Sequence, residues 1–233
     1  MKKSLVLSML LTLGSSAVWA GDNYQRLDQL FRTKHYADLE KACQERLKTN
    51  PKSLDSLYFL SLMKLNQSKG PEAVTFMLNF EKCHDGIEAD ARVKKGKSYV
   101  LADPYYSDLY YFLGQYYVGQ QLFPRALSWL ERAQAHYEKD PSLHFFMGRC
   151  YAGQGDYGEA VKEFQKQSSL DPKDSGAFYN IASCYAQENK VGDSANWLKK
   201  AIAVYPKYKD QASKDDSFKK VRGNRTFQDL LKP

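Results

Sequence analysis

Apolar residues along this chain fall in short stripes at helical spacing, each closed by a breaker, and the stripes recur at a fixed step. Between 141 and 172, Phe146, Met147, Cys150 and Tyr151 form one stripe, and Val161, Phe164 and Leu170 fall on one side of a second. Gly153 and Gly155 break the helix between them. The small residues Gly114, Gly148 and Ala182 recur 34 residues apart, as do Tyr117, Tyr151 and Tyr185, and again Ala126, Ala160 and Ser194. A period of this size marks a unit that cannot bury its apolar face alone and stacks on copies of itself. The pattern predicts an all-α chain: a solenoid of helix-turn-helix repeats with no sheet.

Details inside the repeat refine that expectation. A small residue at Gly148, met by Ala160 from the other side, lets two helices approach closely, and a larger side chain at either point would overpack them. Gly155-Asp156 and Asn189-Lys190 set successive turns, and Pro172 and Pro206 end the second helices, because the residue before a proline is pushed out of helical geometry. Gln167 stands where Ala133 and Ala201 stand in neighbouring copies, which predicts a looser or partly solvated contact. Pro141 lies two residues later than the register of Pro172 requires, which predicts a loosened turn before it.

In the middle copy, His144, Met147, Gly148 and Tyr151 stand at the spacing W-x2-LG-x2-Y with two substitutions, and Ala160, Phe164 and Pro172 supply A-x3-F and a closing Pro. The preceding copy reads Tyr110, Leu113, Gly114, Tyr117, Ala126, Leu130; the following one reads Phe178, Ile181, Ala182, Tyr185, Ser194, Leu198 and Pro206. This pattern resembles the tetratricopeptide repeat. The resemblance implies a right-handed superhelical solenoid over 107–206, and the ending Ala212, Phe218, Phe227, Leu230, Leu231 is similar to the D-x-x-F…F-x-x-L-L cap common in that family, over 207–233.

The register continues faintly toward the N-terminus. Tyr36, Leu39 and Pro51 match one degenerate copy and Leu57, Leu60 and Ala73 another, with Leu39 and Ala73 again 34 apart, giving two repeats within 21–83. From Ala73 to Ala126 the step is 53, so about 19 residues are inserted. They fall in 84–106, expected to be a solvated connector, with a mobile excursion or an extended second helix as the other readings.

Residues 1–20 read as a signal peptide. Lys2 and Lys3 form a charged start, Leu5 to Leu13 an apolar run too short for a mature membrane span, and Val18-Trp19-Ala20 a small-residue cut before Gly21. The expectation is a periplasmic or secreted protein whose mature chain has no membrane span, bacterial by its short MKKS start, with a eukaryotic secreted origin as the other reading. Removing Lys2 and Lys3 lowers the net charge from +7 to +5. Much of the surplus lies after Pro206, where six Lys and two Arg face four Asp. A nucleic-acid partner is not expected from this, since secretion argues against it.

No zinc-ligand spacing, nucleophile elbow or phosphate-cradling loop occurs, so no metal, cofactor or catalytic residue is expected. Glu159 with Glu163 reads as helix-face charge rather than an acid/base pair. Cys150 and Cys184 occupy one position of consecutive repeats on helices roughly 10 Å apart, which disfavours a bond between them. Cys43 and Cys83, on second helices of the N-terminal repeats, are the pair that could form a disulfide in an oxidising compartment.

The resemblance also implies a site. In that family first helices line the concave face, and the positions projecting into it map onto Tyr111, Phe145 and Tyr179, with Tyr58 in the degenerate copy; one turn on stand Gln115, Arg149 and Ser183, and Asn180 sits beside the last rung. Two readings follow for the aromatics: packing between helices, or a groove for an extended peptide or partner helix. Aromatics replace the Lys expected at the first position of a carboxylate clamp, and Arg149 alone would be a weak one. The expected function is a non-catalytic protein-interaction scaffold of the cell envelope. The alternative is a glycan-binding or hydrolytic envelope protein that uses the solenoid as support. No oligomeric state follows from the sequence.

Overall fold

A computed structural model describes residues 22–95 and 106–232. The signal-peptide reading of 1–20 lies outside the described residues. Twelve α-helices and no strands occur among those described, in two compact units that divide after Leu109, inside the fifth helix.

In the first unit, α1 (Asp22–Arg32) and α2 (Tyr36–Thr49) form one pair, and α3 (Leu54–Asn66) and α4 (Gly70–Lys95) a second. Leu27, Leu39, Leu60, Met63, Ala73 and Phe80 are buried between them. The Lys64 ammonium, itself buried, donates to Glu40 of α2 at 2.9 Å and reaches Glu72 of α4 at 3.0 Å, so one cation ties three helices. Its two carboxylate partners are what make that burial tolerable.

The insertion is not a connector where it is described. Helix α4 runs 26 residues, through 84–95, and buries His84 and Glu88. His84 stacks on Phe80 with ring centroids 5.8 Å apart, one turn earlier on the same face. The extended second helix is therefore the reading that holds for 84–95; 96–105 lie outside the described residues. Cys43 and Cys83 are free thiols. Cys43 is buried beside Ser56 of α3, while Cys83 sits on α4 against the Pro51 carbonyl at 4.0 Å.

The second unit continues α5 (Ser107–Gly119) from Tyr110 and adds α6 (Phe123–Tyr137), α7 (Pro141–Gly153), α8 (Tyr157–Leu170), α9 (Ser175–Gln187) and α10 (Val191–Val204). A cap follows: α11 (Tyr208–Lys214), a 3-10 turn (Asp216–Phe218) and α12 (Arg225–Leu231). Ala212, Phe218 and Phe227 are buried with Ala182, Leu198 and Ala201 of the last repeat, so the cap closes the exposed end of its core.

The backbone repeats more faithfully than the side chains. Positive φ occurs at Lys34, Ser68, Gln121, Gly155 and Asn189, at steps of 34, 53, 34 and 34. After each, an amide donates back five residues, from His35, Lys69, Leu122, Asp156 and Lys190 to Leu30, Lys64, Tyr117, Tyr151 and Tyr185, at 2.9 to 3.0 Å. These are Schellman turns with the left-handed residue just past the first helix. The five share one register, the two N-terminal copies included.

Inside the second unit, a Cβ on Gly148 would lie 2.6 Å from the Phe164 ring, so α7 and α8 approach as closely as the small residue predicts. In the third copy Ser194 replaces the alanine, and its hydroxyl donates to the Ala182 carbonyl at 2.9 Å. Two local expectations change. Pro141 is the first residue of α7, started by the Asp140 side chain accepting from the Ser142 amide at 2.8 Å, so it opens a helix rather than loosening a turn. Gln167 is only 4% exposed and donates to Asp174, so its contact is buried and not solvated. Leu170, assigned to the second stripe, is exposed at the end of α8.

Candidate functional site

The three aromatic rungs, equivalent in sequence, differ in surroundings. Tyr111 is 2% exposed and stacks on Tyr137 at 4.6 Å and 18°. Tyr179 is 5% exposed, stacks on Tyr208 of the cap at 4.5 Å, and donates its hydroxyl to Asp215 at 2.7 Å. Burial raises both phenols above their ordinary value, with Asp140 adding to the effect at Tyr111 and the Asp215 hydrogen bond at Tyr179. Tyr58 in the first unit is buried too, its hydroxyl 3.3 Å from Asp108. All three are buried side chains packed against neighbouring rings.

Phe145 is different. It is half-buried, with Phe146 edge-on at 5.1 Å and the Arg149 guanidinium carbon 5.9 Å from its ring centre. Its ring lines a hollow of about 630 Å³ together with Arg149, Asn180, Ser183, Gln187 and Ser217. Four of the predicted site residues, Phe145, Arg149, Asn180 and Ser183, thus converge on one concavity between α7 and α9. Tyr111, Gln115 and Tyr179 do not line it.

Helix geometry explains the convergence. Phe145 and Arg149 are four residues apart on α7, and Asn180, Ser183 and Gln187 stand three and four apart on α9, so each helix presents one stripe to the hollow. The cap closes one side: the Gln187 side-chain amide donates to the Ser217 carbonyl at 2.8 Å, and Asp216 lines the wall. Cys184 also lines it, but burial pushes its thiol up to about 12, as it does that of Cys150, so neither is a nucleophile near neutrality. Arg149, the cation of the lining, is exposed.

One polar cluster escapes periodicity. His144 Nδ1 lies 2.7 Å from Glu163 Oε2 and Nε2 lies 2.8 Å from the Glu138 carbonyl, while Lys166 donates to the other Glu163 oxygen at 2.8 Å. Both His144 and Glu163 are buried, so Glu163 is not the solvated helix-face charge that its spacing suggests. The cluster pins α7 to α8 and to the end of α6. A histidine at a position where the repeat places a buried aromatic was the signal in the sequence. Among the described residues no group of three or more His, Cys, Asp or Glu is placed to hold a metal ion.

Stacked helix pairs joined by one recurrent turn, closed by a helical cap, define a helical-repeat solenoid. The family model for the tetratricopeptide repeat matches residues 111–174 and 147–209. Residues 111–209 are thereby identified as tetratricopeptide repeats. Its fold is similar to that of YrrB, a TPR protein with an unusual peptide-binding site, with 21% identity over 79% of this chain and 85% of that one and a TM-score of 0.56. It is also similar to MamA, at 17% identity over 82% and 98% of the two chains with a TM-score of 0.51. Residues 41 to the end of MamA from Desulfovibrio magneticus RS-1 give 16% identity over 84% and 99%, with a TM-score of 0.51. No curated protein sequence matches the chain.

Proposed function

We propose that this protein is a non-catalytic interaction scaffold whose second unit holds an extended segment of a partner protein in the hollow between α7 and α9. The observation that supports it is the convergence of a half-buried aromatic, Phe145, with Arg149, Asn180, Ser183 and Gln187 around about 630 Å³. Such a lining suits a chain in extended conformation: side-chain amides pair with main-chain groups, a guanidinium takes an acidic or carbonyl oxygen, and an aromatic anchors an apolar side chain. YrrB, of similar fold, has a peptide-binding site. The work of the site is retention, which requires no nucleophile and no acid/base pair.

The cell envelope is the proposed compartment, resting on the charged start, apolar run and small-residue cut of residues 1–20. Phe145→Ala tests the site. Its unfolding temperature should stay close to wild type, and capture of the partner from an envelope extract should fall by the tenfold or more that about 2 kcal/mol at a binding hot spot represents. A strongly destabilised variant would return Phe145 to the packing role of Tyr111 and Tyr179, and undiminished capture would move the site elsewhere.

A further inference from the structure

A second hollow adjoins the first, and Phe145 and Asn180 line both. It measures about 370 Å³, and its other walls include Pro141, Gln167, Asp171 and Asp174. The repeat explains its existence. Tyr111 is covered by Tyr137, 26 residues further on, and at the same offset from Tyr179 stands Tyr205, edge-on to the Tyr208 that does the covering. At the same offset from Phe145 stands Asp171. The middle rung has lost its aromatic lid, and among the described residues no ring stacks on Phe145 in its place.

What remains is a wall of acceptors. Asp174 Oδ1 accepts from the Gly176 amide at 2.9 Å and Asp171 Oδ1 from the Lys173 amide at 3.1 Å, yet neither carboxylate has an ion-pair partner among the described residues. Among the described residues no Lys or Arg lines the hollow. Gln167 gives its Nε2 to Asp174 Oδ2, and its Oε1 is buried without a hydrogen-bond partner. A buried acceptor left unpaired is costly, and it marks a place where an incoming donor gains most.

The geometry points to a subsite for an arginine side chain of the partner, stacked on Phe145 where the lid is missing and bonded to Asp171, Asp174 and the Gln167 carbonyl oxygen. A guanidinium supplies both requirements at once, a flat cation for the ring and several in-plane donors for the acceptors. Lysine would satisfy the charge but not the stack. This subsite rests on the groove reading and deepens it: the partner segment crosses Phe145 and Asn180 with an arginine on the acidic side and its continuation on the Arg149 side.

The test is a nuclear magnetic resonance titration of the isotopically labelled full chain at low salt with acetyl-Gly-Gly-Arg-Gly-Gly-amide, and with the same peptide carrying citrulline, which keeps the shape and loses the charge. Saturable shifts of the Gln167 and Asn180 side-chain amides with the arginine peptide, and affinity at least about tenfold lower with citrulline, are expected. Asp171→Asn with Asp174→Asn should weaken the arginine peptide by about tenfold or more, while asparagine at 174 still caps α9. Asp171→Tyr should restore the lid and abolish binding in a protein that remains folded.

Equal affinity for arginine and citrulline peptides overturns the cationic subsite and leaves the groove standing. Failure of both peptides to bind also overturns it, with the groove judged separately by partner capture in Phe145→Ala. Free L-arginine binding as tightly as the peptide would make the hollow a site for a small guanidinium compound and overturn the peptide assignment.

Discussion

At the scale of single residues, the recurrent turn carries the clearest energetic statement. Four of its five left-handed positions are Lys34, Ser68, Gln121 and Asn189, and only the fifth is glycine, Gly155, with φ of +82°. Nothing lies within 4 Å of a Cβ built there, so substitution tests backbone conformation alone. Gly155→Ala should cost about 1 kcal/mol, the penalty of a Cβ in the left-handed region, and Gln121→Gly should recover part of a comparable amount at its own turn. Denaturant midpoints measure both, and an unchanged midpoint for Gly155→Ala would show that the turn relaxes freely. Gly155 and Asn189 were legible in sequence as turn residues but the other three were not, because a lysine, serine or glutamine carries no signal of positive φ.

At the scale of elements, the decisive contact is the one between paired helices. Gly148 on α7 faces the Phe164 ring of α8, and a Cβ at 2.6 Å must push that ring or the helix aside. Gly148→Leu should therefore destabilise the second unit by about 1–3 kcal/mol or more, read as a fall in unfolding temperature. A midpoint equal to wild type would mean that the helices can part without loss. This packing was legible in sequence, since a small residue recurring every 34 positions marks the point where each helix meets its partner most closely. The length of α4 was not. Its charged stretch resembles a connector, and only His84, Glu88 and Ala91, spaced along one helical face after Phe80, hint that the helix continues. The ladder was half legible: periodicity makes Tyr111, Phe145 and Tyr179 equivalent, and what separates them is the ring that covers each, Tyr137 at 26 positions and Tyr208 at 29, a relation that only the stacked helices reveal.

At the scale of the whole molecule, stability depends on how the repeat array is finished, and the Tyr179–Asp215 bond is its titratable part. Burial raises the Asp215 carboxyl, but hydrogen bonds from the Ser217 amide and the Tyr179 hydroxyl outweigh this and hold it below its ordinary value. Stability from a lowered carboxylate is present above the unfolded value of about 3.9 and is lost as pH falls through the folded one. The Tyr179 phenol is raised, so its contribution is full below about 10 and is lost as pH rises further. The stability difference between wild type and Tyr179→Phe should form a plateau from about pH 4 to pH 10 and shrink on both sides. Urea unfolding across that range measures it, and a difference that persists unchanged at pH 3 would detach Asp215 from the effect.

The missing lid over Phe145 bears on how such a chain can change over generations. The interior that holds the middle repeat together, Ala160, Phe164 and Ile181, is separate from position 171, which sits at the rim where α8 ends. A codon exchange at that rim can open or shut a rung while every turn and every close helix contact stays as it was. Recognition can then drift rung by rung, each lid inherited independently, on a scaffold that selection need not rebuild.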